Sequence, residues 1–338
     1  MQRVSDPVRI AAIGLNFGAH AAAEIHAHPK MSLDVVCDLD EEKARRVSEK
    51  LGGVRYTASY ESILADPKIE AVALFTPPHV HGLHITMAAR AGKHVVVTKP
   101  FEISSAKAEA AIKAAEAASI VLMSNSPPPR YIGHYGMIKR ALDTGTIGRI
   151  VHIATCTWAL YDNMDPDGTW YDDPDACPGG PLYRLGIYAM NLANVFLGEP
   201  VEVYAQQSWI RSRRPTPDHS SMIVKYHDGS QTSITVSLSV GGAVYPDTAV
   251  VAGTGGLLVL NPTFASSDNP KKDVLLVQGR QQQMLDWQVG LGGYDYDGLY
   301  QFLREGTRPE ISIRAAMNGV KIVEAARVSL KEKRAVPV

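Results

Sequence analysis

A glycine-bearing turn, Gly14-Leu15-Asn16-Phe17-Gly18-Ala19, lies between the apolar run Val8–Ile13 and an Ala-rich helical stretch. A turn of this kind can cradle a phosphate, because backbone N–H groups point outward and a helix start favours negative charge. In the dinucleotide pattern the first glycine makes the tight turn and the second admits the pyrophosphate. The third lets the helix pack closely. Those places hold Gly14, Asn16 and Ala19, and Gly18 offers compensating freedom one position before the third. On this segment alone, a phosphate cradle and a plain strand-to-helix turn weigh about equally. Asp38 tips the balance. It ends the run Leu33–Cys37, 24 residues after Gly14, near the ~20 expected of an acid that accepts hydrogen bonds from the adenosine ribose. A carboxylate there opposes a 2′-phosphate, and Leu39, Asp40, Glu41 and Glu42 follow it with no Arg. The expected cofactor is therefore NAD, with NADP less favoured.

Three further segments carry residues able to do chemistry. Thr76-Pro77-Pro78-His79-Val80-His81 follows an apolar run, and its adjacent prolines hold a rigid loop beside the expected cofactor. His81 starts the next helix and receives no catalytic role; with Thr76 and Pro77 it is a candidate cofactor contact. Thr98-Lys99-Pro100 follows three valines. A lysine there can hydrogen-bond a substrate hydroxyl and favour its alkoxide as hydride leaves, although a surface lysine in a turn is the default. Thr98 and Lys99 are also candidate cofactor contacts. In Gly179-Gly180-Pro181-Leu182-Tyr183-Arg184-Leu185-Gly186-Ile187-Tyr188, Arg184 and Tyr188 are four apart and should share a helical face. A phenol can relay a proton if a neighbouring cation lowers its pKa. The plainer alternative is a half-buried aromatic and a surface charge. Trp170 and Arg130 join Arg184 as candidate substrate-binding residues.

These residues need elements to hold them. In the first third of the chain, apolar runs without polar alternation alternate with helical stretches of 10–15 residues. That pattern predicts right-handed βαβ units and a parallel sheet covered on both faces. After Pro127-Pro128-Pro129 the pattern changes. Ile150–Trp158, Val201–Trp209, Ser220–His227, Gln231–Val240, Thr248–Ala252, Leu257–Leu260 and Asp273–Gln278 read as strands. Several alternate in period two, and His227-Asp-Gly-Ser230 reads as a hairpin turn. Leu185–Leu197 and Ala315–Leu330 read as helices. The fold class is α/β: an N-terminal Rossmann doubly wound parallel sheet, then an α+β domain with a large, mainly antiparallel open sheet. The expected division is 1–125 for cofactor and 126–338 for substrate and self-association, with helix 315–330 placed to pack back toward the first domain.

Composition narrows the class. With 338 residues, 45% hydrophobic and 20% charged, the chain is an ordinary globular one with room for two cores. A net charge of −1 provides no electrostatic footprint for nucleic acid. Three widely spaced cysteines fit neither a disulfide framework nor a zinc site, so no metal is expected and a reduced cytoplasmic setting suits them. The first ten residues lack a signal-peptide core, and no run approaches the ~18 apolar residues of a membrane span.

In order along the chain, these segments resemble the glucose–fructose oxidoreductase/inositol dehydrogenase/rhizopine-catabolism (Gfo/Idh/MocA) family. The resemblance rests on the first glycine turn, VVCD ending on Asp38, TPPHVH at 76–81 and AGKHVVVTKP at 91–100. DTGTIG at 143–148, GGPLYRLGIY at 179–188, Gly253-Thr-Gly-Gly256 and the closing EAARVSLKEKRAVPV complete it. It implies that Lys99 is the catalytic lysine and Tyr188 the proton-exchanging group. It also implies an open sheet that forms a dimer or tetramer interface. Three departures stand out: Asn16 for the second glycine, Thr98 for the usual Glu, and Arg184 where Asp is common. A fixed cation at 184 would favour acidic sugars and stabilise the Tyr188 phenolate. The implied activity is NAD-dependent hydride transfer at a hydroxyl or carbonyl of a sugar, polyol or sugar acid. Alternatives are an NAD-dependent glycosidase using transient oxidation, and a nucleotide-binding regulator without chemistry.

Overall fold

The computed structural model describes residues 6–127, 133–159, 170–211, 213–240, 248–260, 274–285, 294–307 and 313–338. The chain divides into two compact units, Met1–Pro128 with Gly293–Ile313, and Pro129–Gly292 with Arg314–Val338.

The first unit alternates β1 (Val8–Ile13), α1 (Gly18–Ala27), β2 (Met31–Cys37), α2 (Glu41–Lys50), β3 (Arg55–Thr57), α3 (Tyr60–Ala65) and β4 (Ala71–Leu74). It continues through α4 (His81–Arg90), β5 (His94–Val97), α5 (Ser105–Ala117) and β6 (Leu122–Ser124). Its six strands are all parallel, in the order β3-β2-β1-β4-β5-β6. β4 is buried along its whole length, as are the three valines of β5, which explains why these strands read as unbroken apolar runs. Side-chain caps fix the helix starts: Asp40 accepts from Lys43 N–H, Ser59 from Ser62 N–H and Ser104 from Lys107 N–H.

The second unit is built on α6 (Gly133–Asp143), β7 (Ile150–Trp158), a wide π-type turn at Leu182–Gly186 and α7 (Ile187–Leu197). Then come β8 (Pro200–Ser208), β9 (His219–Tyr226), β10 (Gln231–Ser237), β11 (Thr248–Gly253), β12 (Leu257–Leu260), β13 (Val274–Gln278) and β14 (Gln281–Leu285). The nine-stranded sheet runs β14-β13-β12-β11-β7-β10-β9-β8 and ends on a C-terminal strand. Among the described strands, only the β7–β10 pair is parallel. The Asp228-Gly229 turn joins β9 to β10 as the sequence predicts, with Gly229 at φ +84°.

Helix α8 (Tyr296–Glu305) belongs to the first unit, whereas most of α9 (Ile313–Glu332), together with β15 (Val336–Pro337), belongs to the second. The placing of α8 in the first unit differs from a single break after residue 125. The physical reason is packing. Tyr296 and Leu299 of α8 share a core with Val8, Ile10, Ala22, Ile25 and Met31. Arg304 grips Glu70 through two N–H···O bonds of 2.8 Å. In α9, by contrast, Ser329 receives the Ala205 N–H, and the Ala315 carbonyl accepts from Asn194 Nδ2.

Candidate functional site

In the sheet order of the first unit, β1 and β4 are neighbours whose connections leave in opposite directions. Their carboxyl ends open the crevice where doubly wound sheets take ligands. Gly14 leaves β1 there with φ +87°, and a Cβ on it would meet the Phe75 carbonyl carbon and oxygen and the Thr76 nitrogen at 3.0 Å. Gly18 begins α1, where a Cβ would press the Phe75 side chain at 2.8 Å. Gly18, and not Ala19, therefore lets this helix start pack closely, so the glycine of the pattern has moved by one residue. Asn16 takes no left-handed backbone conformation. The turn fits a dinucleotide pyrophosphate: it closes tightly against the next strand, and no side chain caps the start of α1.

Asp38 is tied into that turn. Its Oδ2 accepts the Leu15 N–H at 2.8 Å and its Oδ1 accepts the Asp40 N–H at 3.0 Å. Lys43 Nζ stands 3.4 Å from Asp38 Oδ1 and donates to Asn16 Oδ1 at 2.9 Å. Lys43 carries no motif signal in the sequence and was not among the expected site residues. Phe17 is 60% exposed on the turn and meets Phe75 edge-on.

The His81 ring lies between the loops after β4 and β5. Its Nε2 lies 2.7 Å from the Thr76 carbonyl oxygen, and its Nδ1 lies 3.1 Å from those of Pro100 and Phe101. The ring is fully buried, which lowers its pKa to about 4. A neutral imidazole donates one N–H, so the ring bonds the carbonyl oxygen on one side and packs against the loop on the other. Thr98 is buried, its N–H donating to Leu74 O. Lys99 is half-buried, and its N–H donates to Asn125 Oδ1 at 3.0 Å beyond the end of β6. Glu102 is fully buried and receives the N–H groups of Gly82 and Ile103 at 2.8 and 2.7 Å, joining the starts of α4 and α5. Burial raises its pKa. Neither Asn125 nor Glu102 was among the expected site residues, because their partners are distant in sequence. Gly14–Ala19, Asp38, Thr76, Pro77, Thr98 and Lys99 thus all lie at the carboxyl edge of the parallel sheet.

The second unit carries Trp170, Arg184 and Tyr188. Trp170 lies against Tyr171, the rings tilted by 37° with 4.0 Å between centroids, and the Arg184 guanidinium lies 4.0 Å from the Tyr171 ring centroid. Arg184 is buried in the wide turn, whereas Tyr188, in the first turn of α7, is 42% exposed. Their exposure differs despite the i,i+4 spacing, because the pair spans the junction of a π-type turn and an α-helix. Burial pushes the pKa of the Tyr135 hydroxyl up, and the charge of Tyr188 adds to that shift. Arg130 lies outside the described residues. Among the described residues, no cluster of three or more His, Cys, Asp or Glu is placed to hold a metal, and no helix is long and apolar enough to cross a membrane.

Two family models match this chain. One, described as the oxidoreductase family NAD-binding Rossmann fold, matches residues 8–126, and the other, the GFO/IDH/MocA C-terminal domain, matches residues 135–259. The chain belongs to the Gfo/Idh/MocA oxidoreductase family. This Gfo/Idh/MocA chain is accordingly an oxidoreductase with an NAD-binding Rossmann domain. It is 29% identical to D-xylose 1-dehydrogenase (NADP+) 2 of Haloferax volcanii, with 68% of each chain covered. It is 27% identical to the myo-inositol 2-dehydrogenase of Thermotoga maritima, over 60% of this chain and 58% of that one. Across such relatives the matched share of their own length runs from 49% to 86%. The fold is also that of the aldose–aldose oxidoreductase of Caulobacter crescentus solved with glycerol: TM-score 0.82, 22% identity, 98% and 100% of the two chains covered.

Proposed function

We propose that this chain is an NAD-dependent oxidoreductase that moves a hydride between the nicotinamide and a hydroxyl or carbonyl of a sugar, polyol or sugar acid. The observation that carries the reading is the Gly14–Gly18 turn, closed on Phe75 at the β1/β4 crevice with Asp38 hydrogen-bonded into it. The names of relatives support the substrate class: a xylose dehydrogenase, an inositol dehydrogenase and a levoglucosan dehydrogenase. Asp38 accepts ribose hydroxyls, and its charge with those of Asp40, Glu41 and Glu42 disfavours a 2′-phosphate.

The bound dinucleotide supplies the hydride donor or acceptor. Lys99 donates a hydrogen bond to the reacting oxygen and stabilises the negative charge that develops there. Asn125, holding the Lys99 N–H, and His81, lying between the 76 and 100 loops, keep that lysine at the sheet edge. Tyr188 exchanges the proton of the reacting hydroxyl. Arg184, whose guanidinium lies over the Tyr171 ring, reads an acidic group on the substrate. Trp170 and Arg130 complete the substrate contacts. The open sheet of the second unit joins copies of the chain into a dimer or tetramer.

The test is Lys99→Ala. Turnover on a cognate sugar should fall by ~100-fold or more, in the range expected of a positioned acid–base group, while nicotinamide dinucleotide binding stays near wild type. Near-normal turnover on that sugar would remove Lys99 from the mechanism.

A further inference from the structure

Lys43 occupies a position that the cofactor reading alone does not account for. It stands in the first turn of α2, where its own N–H is fixed to the Asp40 cap at 3.0 Å. From there its side chain reaches back to the β1–α1 turn. The ammonium donates to Asn16 Oδ1 at 2.9 Å and stands 3.4 and 3.5 Å from the two Asp38 oxygens. Lys43 and Asp38 side chains keep 29% and 13% of their surface exposed, so this small triangle borders solvent. It also accounts for Asn16. In place of the pattern's second glycine stands an amide that anchors a cation beside the ribose-binding acid.

We propose that Lys43 is the residue that sets the choice between NAD and NADP, by allowing the Asp38 site to accept a 2′-phosphate. This rests on the reading of Asp38 as the ribose acceptor. With an unphosphorylated ribose, Lys43 stays on Asn16 and Asp38 offsets its charge. A 2′-phosphate meets the carboxylates of Asp38, Asp40, Glu41 and Glu42, and only a nearby cation can make its entry tolerable. A lysine suits this role, since it is a compact point charge on a flexible stem and can leave Asn16 for a phosphate oxygen. The consequence is a chain that prefers NAD yet binds NADP measurably, with the ratio governed by a residue five positions beyond Asp38.

Nicotinamide fluorescence, read as NADH or NADPH is titrated into the purified full chain, tests this without substrate. Wild type should bind both, NADH more tightly. Lys43→Ala should weaken NADPH by about tenfold or more, the loss of one charge-assisted contact, and leave NADH within about threefold. Lys43→Arg should retain NADPH binding, and NADPH affinity should fall more steeply with salt in wild type than in Lys43→Ala. If Lys43→Ala is poorly folded, Lys43→Met keeps the aliphatic stem and the same comparison holds. Equal weakening of both cofactors, or of neither, overturns the proposal. Tighter NADPH than NADH binding by wild type overturns instead the role given to Asp38, and a wild type that binds neither cofactor overturns both.

Discussion

At the scale of single residues, Arg184 carries the strongest demand on chemistry. Its guanidinium lies against the Tyr171 ring in a buried turn, and Tyr171 is itself in tilted contact with Trp170. A guanidinium stays charged at any working pH, and one held over an aromatic face gains cation–π attraction there. If this cation reads the substrate, wild type should favour uronic or aldonic acids over neutral polyols, and Arg184→Asp should reverse that order. One good charge-assisted contact corresponds to a selectivity change of about tenfold or more. The measurement is kcat/KM on matched acidic and neutral sugars. Unchanged preference in the variant would confine Arg184 to packing.

At the scale of elements, the loops after β4 and β5 pack on one buried imidazole. His81 is held neutral, its pKa lowered to about 4 first by burial. Below pH 6.5 the unfolded chain takes up a proton that the folded ring refuses until near pH 4. Stability from this group is therefore present above pH 6.5 and lost as the pH falls through that window. The loss is roughly 2 kcal/mol by pH 5. His28, His84 and His94 also have lowered pKa values and act in the same direction. Glu102, whose pKa is raised by burial, acts oppositely: its folded carboxyl takes a proton first, adding stability as the pH falls through the raised value. Comparison with His81→Asn isolates the histidine. Urea unfolding at pH 7 and pH 5 should show the smaller drop in the variant, and equal drops would show that His81 does not titrate as described. This region also marks a limit of sequence reading. The βα alternation was legible because apolar runs and helix stops are local signals, and the Asp-Gly hairpin was legible for the same reason. Glu102 and Asn125 were not, because their partners Gly82 and Lys99 lie 20 and 26 residues away. α8 did carry a local signal, with Asp295 capping its start and Gly306 at φ +70° ending it. What sequence could not give was its docking on β1 and α1. β14 reads as polar, since its first three residues are glutamines, and only pairing with β13 makes it a strand.

At the scale of the whole molecule, the nine-stranded sheet of the second unit raises the question of its outer face. The registers place Ile223, Ala154, Val250, Val259, Leu275 and Met284 on one row that runs across seven strands. The row crosses Ser233 between Ile223 and Ala154. Its members are half-buried or exposed, Ile223 by 49% and Met284 by 50%, whereas their neighbours Met222, Val224, Ile153, Val251, Leu258 and Leu260 are buried on the other face. A broad apolar strip of this kind on an open sheet is the sort of surface that proteins cover with a partner. The proposed second copy would cover it with a self-complementary surface, because a two-fold axis sets each row against its own image. Light scattering at micromolar concentration should therefore report a dimer or tetramer. Ile223→Glu places a charge at the β9 end of the strip, where pairing would bury it. Its cost on burial, several kcal/mol for an unpaired charge, should shift the population toward monomer by at least an order of magnitude in concentration. Its cost to the folded unit is small, since the residue already faces solvent, so the unfolding midpoint of the variant monomer serves as the control. A wild-type monomer at that concentration would refute the self-association, and a variant that stays oligomeric would place the interface elsewhere.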